Sequence, residues 1–198
     1  MKPFSDACER NQEPILAILK EMFADCRTML EIGSGTGQHA VYFGAALPQF
    51  NWQTSDLPAN HPGILAWLAE ARLPNVLPPL VLDVNGYDWP EAAYDGVFSA
   101  NTCHILSWRE VELLFRGIGR TVKPGGMVCV YGPFNYGGRY TSEINARFDA
   151  ALKARGPLSG IRDFEAVDSL AREQGLVLVK DHAMPVNNRT LVWRKLSL

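Results

Sequence analysis

No stretch of this chain approaches the roughly eighteen consecutive apolar residues that a membrane span needs, which excludes an integral helical membrane protein. Cysteine is scarce and scattered. Cys8, Cys26, Cys103 and Cys129 form no C-x-x-C pair, and no His/Cys cluster has zinc-ligand spacing. A disulfide scaffold and a zinc module are thereby excluded, and no metal is expected. A basic excess is also missing. Lys and Arg total 19 against 21 Asp and Glu, a formal net charge of -2, so the chain lacks the footprint of an extended nucleic-acid binder. The opening residues Met-Lys-Pro-Phe-Ser-Asp hold no apolar signal core. Together with unpaired cysteines, this predicts a soluble protein of the reducing cytoplasm. Repeats, low-complexity tracts and linker-like segments are absent, so residues 1–198 are expected to form one domain.

What remains is an ordinary globular composition, 47% hydrophobic and 20% charged, enough for a full core. Its periodicity alternates. Strands are predicted over 28–32, 51–55, 76–82, 95–100 and 127–131. Helices are predicted over 12–24, 37–46, 62–72, 107–122, 141–155 and 163–174. Asn11 is a candidate cap for the first helix, and Ser107 with Glu110 forms a capping-box pattern. Two final strands, 176–183 and 190–196, flank Pro185-Val186-Asn187-Asn188, a junction short enough for an antiparallel hairpin. Alternation of this kind implies a doubly wound, mostly parallel α/β sheet with helices on both faces. Residues 1–27 are expected to supply a lid, from the polar segment Ser5 to Asn11, and a helix, and 133–163 an insertion over the ligand face.

In such sheets ligands bind beyond the carboxyl ends of the strands. The first strand runs into Glu31-Ile32-Gly33-Ser34-Gly35-Thr36-Gly37, where glycines let the backbone take positive φ against a ligand and the next helix presents its N-terminus. The spacing G-x-G-x-G, rather than G-x-G-x-x-G, tilts the cofactor from NAD towards S-adenosyl-L-methionine (SAM). Asp56 ends the second strand about twenty residues past the loop, placed to accept from ribose hydroxyls, with Leu57 beside it. Asp83 and Val84 follow the third strand, suited to an adenine amine and ring. After the fourth come Asn101 and His104. Glu31 is either a support for the loop or a contact to the donor's amino group.

Glu31 to Gly37, Asp56, Leu82-Asp83-Val84 and Val122-Lys123-Pro124-Gly125-Gly126 resemble the ordered motifs of class I SAM-dependent methyltransferases, which have a Rossmann-like fold. A narrower resemblance covers nearly the whole chain: Glu9 to Leu16, Glu31 to Ala40, Trp52 to Asp56, Asn101 to Ile105, Tyr131 to Phe134, and Gly160 to Glu165. These are similar to the domain-of-unknown-function 938 family, of the methyltransferase-like protein 26 type. The resemblance implies the cofactor and leaves the acceptor open. Where that family often carries an aliphatic residue, this chain has Cys103.

Methyl transfer from a sulfonium demands alignment, water exclusion and, for a protonated acceptor, a base. His104 is the candidate general base, with a helix cap or packing against Trp108 as its structural alternative. Tyr131, Phe134, Asn135, Tyr136, Arg139 and Tyr140 form an aromatic and polar cluster suited to holding an acceptor, or else a packed loop. Runs of the Asn/Asp-Pro-Pro-Tyr kind and Pro-Cys pairs, which serve DNA-methylating enzymes, are missing. A small-molecule acceptor is therefore expected, with no nucleic-acid or membrane partner. Two alternatives stand: a non-catalytic protein binding SAM or its demethylated product (SAH), and a nicotinamide oxidoreductase.

Overall fold

The computed structural model describes residues 2–86 and 88–197. Six helices and nine strands alternate along it: α1 (Asp6–Met22), β1 (Thr28–Ile32), α2 (Gln38–Ala46), β2 (Asn51–Asp56), α3 (His61–Ala71), β3 (Val76–Val81), β4 (Tyr94–Ala100), α4 (Trp108–Thr121), β5 (Val122–Gly132), β6 (Phe134–Asn135), α5 (Glu143–Arg155), β7 (Arg162–Asp163), α6 (Phe164–Glu173), β8 (Leu176–Met184) and β9 (Asn188–Lys195). Seven strands form one sheet in the order β3-β2-β1-β4-β5-β9-β8. All pairings are parallel except those of β9, which runs antiparallel to β5 and β8. The order reverses between β1 and β4, and a crevice opens at such a switch point beyond the strand tips.

Each face of the sheet is buried by helices. One core joins Ile15 and Leu19 of α1 and Phe43 of α2 to Trp52, Phe98 and Cys129 on the strands. The other joins Leu114, Phe115 and Ile118 of α4 and Val167 of α6 to Val97, Val128 and Trp193. No described helix is long and apolar enough to cross a membrane, and no group of three or more His, Cys, Asp or Glu side chains among the described residues could hold a metal.

Several boundaries differ from expectation for identifiable reasons. α1 begins at Asp6, not Gln12. Ser5 is its cap, accepting from the Cys8 amide, and Asn11 is a buried interior residue. β5 begins at Val122, because residues 123–126 bulge out of its ladder with β4 between Val122 and Met127. The Lys123 ammonium donates to Asp95 at 2.7 Å across that bulge. The aromatic and polar stretch after β5 contains β6, which pairs with β7. At the opposite margin, β3 carries Pro78 and Pro79, and its ladder with β2 shifts between Gln53 and Ser55. Side chains of β2 fill the gap: Gln53 Nε2 donates to the Pro78 carbonyl at 2.6 Å, and Thr54 Oγ1 to the Leu77 carbonyl at 2.8 Å.

Candidate functional site

A cavity of about 610 Å³ lies beyond the carboxyl ends of β1 to β4. Its floor is the bend after β1. Gly33 (φ 73°) and Gly35 (φ 58°) take the left-handed conformation that side chains resist. A Cβ on Gly33 would meet Thr102 Oγ1 at 3.0 Å, whereas one on Gly35 would find only the Gly33 carbonyl, at 4.0 Å. The backbone at Gly35 therefore faces open cavity. Gly37 serves packing instead. It starts α2, and a Cβ there would lie 3.0 Å from Ile64 Cα in α3. It packs α2 against α3 and is not in the cavity wall.

Glu31 resolves the same way. Buried under the loop, its Oε2 accepts from Ser34 Oγ at 2.9 Å and from Trp52 Nε1 at 3.1 Å. Burial pushes its pKa up to about 7 against those hydrogen bonds. It supports the loop and is not part of the cavity wall. Ser34 lines the wall, as do Asp56, Leu57, Asp83, Val84, Asn101 and His104.

Asp56 ties β2 to the glycine bend. Its Oδ2 accepts from the Gly35 amide at 2.7 Å, and its Oδ1 from the Leu57 amide and Asn60 Nδ2 at 2.7 and 2.8 Å. Asp83 accepts from the Asn85 amide at 2.9 Å, an Asx turn that fixes the loop after β3. Asn85 in turn donates to Glu110 at 3.1 Å, so the capping box of α4 also anchors that loop. Asn101 holds φ 57°, a left-handed state that Asn tolerates better than most residues, while its amide donates to the Tyr131 carbonyl at 2.8 Å. Strain of this kind concentrates at functional sites.

His104 is buried, and its ring meets Phe148 edge-on at 5.4 Å rather than Trp108. Burial, aided by the Arg162 charge, lowers its pKa to about 4. The imidazole is therefore neutral across the physiological range.

The expected acceptor cluster does not assemble. Phe134 is sealed in the core. Asn135 is half-buried beside it on β6, outside either cavity wall. Arg139 sits in an exposed turn hydrogen-bonded back to Tyr136. Tyr140 donates to Asp149 at 2.7 Å, and Tyr136 to Asp181 at 2.7 Å. The pairing of β6 with β7 draws this loop into the body of the protein and away from the crevice. Within the cluster Tyr131 borders a second cavity of about 290 Å³, which shares Ala7, Asn101 and Phe148 with the first.

Sequence reasoning also missed wall residues on the helices. Ala7 and Cys8 of α1 and His39 of α2 line the first cavity. His39 Nε2 lies 2.6 Å from Asn11 Oδ1. A signal existed: Cys8, Asn11 and Ile15 continue the helical spacing of α1 backwards beyond its apolar stripe. Phe148 similarly follows Asn145 by three residues on α5.

A family model described as a protein of unknown function, DUF938, matches residues 2–195. The chain belongs to the DUF938 family. Solved structures match nearly its whole length. An O-methyltransferase family protein from Burkholderia thailandensis aligns at TM-score 0.85 and 20% identity, covering 97% of this chain and 58% of that one. Human N-acetylserotonin methyltransferase, solved in complex with SAM, aligns at 0.81 and 16%, covering 97% and 53%. PigF, solved with SAH, aligns at 0.75 and 20%, covering 96% and 64%. The chain thus spans 53 to 64% of the length of these three. At such identities the likeness establishes the fold: this DUF938 chain has the Rossmann-like architecture of class I methyltransferases.

Proposed function

We propose that this DUF938 protein binds SAM in the larger cavity and transfers its methyl group to a small-molecule acceptor. Within the family we place it with the methyltransferase-like protein 26 type, and in the cell in the cytoplasm. One observation carries the reading: the tips of four successive strands converge on one cavity. Among the described residues its charged lining is Asp56, Asp83 and Glu110, with no Lys or Arg. Acids suit a cationic sulfonium, an amino group, ribose hydroxyls and an adenine amine. They oppose the pyrophosphate of a nicotinamide cofactor, which calls for amide or cationic donors. The bare bend at Gly35 and the volume fit a nucleoside-sized ligand.

Bound there, SAM supplies a methyl group on positively charged sulfur. Asp56 and Asp83 hold the nucleoside, and the glycine bend lets it approach the backbone. Helix α1, through Ala7 and Cys8, covers the cavity as a lid and excludes water. The neutral His104 accepts the proton that an acceptor hydroxyl or amine sheds as it is methylated.

Isothermal titration with SAM, SAH and NADH tests the donor site. Saturable SAM and SAH binding is expected, whereas NADH binding without SAM binding overturns the reading. Mass spectrometry of metabolite extract incubated with the protein and isotope-labelled SAM identifies the acceptor. Tight SAM binding with no labelled product across such extracts replaces catalysis with ligand sensing.

A further inference from the structure

The second cavity differs from the first in chemistry as well as position. Its rim is apolar, formed by Pro133 after β5, by Ile144 and Phe148 of α5, and by Val186 in the β8–β9 turn. Ile144 and Val186 are 58% and 65% exposed, a large apolar exposure gathered around one opening. Its depth is polar. The Tyr131 phenol lines it together with the side-chain amides of Asn11, Asn145 and Asn188. A phenol carries one O–H donor, and no side-chain hydrogen bond among the described residues engages that of Tyr131.

Among the described residues, Arg10 is the only charged one lining this cavity, and no acid does. Among the described residues no ion pair engages Arg10. An unpaired cation and a phenol beside apolar walls match one ligand type.

We infer that the second cavity holds the methyl acceptor, and that this acceptor is a small carboxylic acid with an apolar, ring-sized body. The inference rests on the methyltransferase reading for its role but not for its chemistry. The carboxylate faces Arg10 and Tyr131, the apolar body lies among Ile144, Phe148 and Val186, and the reacting end points past Asn101 into the donor cavity. The acid needs no compensating charge from the donor side, where acids dominate.

The test uses the full chain saturated with SAH, so that nothing turns over. Benzoate, 4-hydroxybenzoate and isovalerate are each titrated against their primary amides. At least one acid is expected to bind about tenfold more tightly than its amide. Arg10→Gln should erase that preference and Arg10→Lys retain part of it. Val186→Asp should weaken the acids more than the amides, because both lose apolar contact and only the acids meet a like charge. That site suits it, because φ is 59° and Asp tolerates the left-handed region better than Val does. Equal binding of acids and amides, binding of neither, or an acid preference that survives Arg10→Gln overturns the inference. SAH affinity, measured alongside, should be the same in Arg10→Gln and wild type. Failure of wild type to bind SAH sinks the methyltransferase reading, while the acid titration without SAH still decides the chemistry of the second cavity.

Discussion

The two cavities share a wall at Asn101 yet are assembled from different kinds of chain. The larger one is made by strand tips and the turns that leave them: a glycine bend, an acid closing β2, an Asx turn after β3. The glycine bend and the Asx turn are local devices, complete within a few residues, and Asp56 joins the tip of β2 to the bend. The smaller one is made by side chains from α1, β5, α5 and the β8–β9 turn, segments as far apart in sequence as Arg10 and Asn188. Binding that any nucleoside cofactor of this type needs can be written into turns. Selectivity for one acceptor is written into helix faces and hairpin tips, which exchange residues without disturbing the sheet.

The largest effect should come from the turns. Gly37→Val sets a branched side chain at φ 91° with its Cβ 3.0 Å from the α3 backbone. Loss of about 3 kcal/mol or more of unfolding free energy is expected in urea denaturation. Gly35→Ala sharpens the contrast. Its Cβ enters open cavity, so stability should fall by only about 1–2 kcal/mol while SAM binding measured by calorimetry is lost. If both variants unfold alike, the bend is a folding element and not a ligand cradle.

Next in size, Asp56→Ala removes the acceptor for Gly35, Leu57 and Asn60. A loss of about 1–3 kcal/mol in SAM affinity is expected, with a comparable drop in stability. Acid binding in the second cavity should persist in any fraction that stays folded, because Asp56 does not line it.

Titration separates the support of the larger cavity from its walls. Burial holds Glu31 near 7, above its ordinary 4.5, so the folded chain keeps a proton that the unfolded chain releases. Stability from this group is full below about 4.5 and declines as pH rises through 7. His39 and His104 run the other way. Lowered to about 4 from 6.5, they cost stability as pH falls from 6.5 towards 4, where only the unfolded chain takes up the protons. Glu31→Gln should therefore flatten the loss between pH 5 and 8 by about 1 kcal/mol or more. Superimposable pH–stability curves for variant and wild type would show that Glu31 does not titrate there.

The smallest expected effect touches both cavities together. Ser5→Ala removes the cap of α1, about 1 kcal/mol. Because α1 gives Cys8 to one cavity, Arg10 to the other and Ala7 to both, SAM and carboxylate affinities should weaken in parallel. Hydrogen exchange at residues 6–11 reads the fraying directly.

The same division explains what is legible in the sequence. The sheet, its antiparallel hairpin, the capping box and the acids at the tips of β2 and β3 can be read there, because periodicity and turn chemistry are local. Gly37 and Glu31 belong to the bend, as their positions in the chain predict. Their targets, Ile64 and Trp52, are not legible, because only tertiary packing brings them near. The aromatic cluster after β5 misleads for a similar reason. Nothing local in Phe134-Asn135 signals a two-residue pairing with Arg162-Asp163, yet that pairing buries Phe134 and turns Arg139 and Tyr140 outward. Arg10 reads locally as one more residue of a polar segment. Its place in a cavity wall depends on α5 and the hairpin arriving from the other end of the chain.

The paired prolines of β3 carry a consequence for assembly. A strand without two of its N–H groups is a poor template, so the margin of the sheet at β3 resists the addition of a foreign strand. The other margin, β8, holds nine residues with Val177 and Val179 half exposed and no proline. Association of copies by extending the seven-stranded sheet is favoured at β8, away from the glycine bend but next to the β8–β9 turn that carries Val186 of the second cavity.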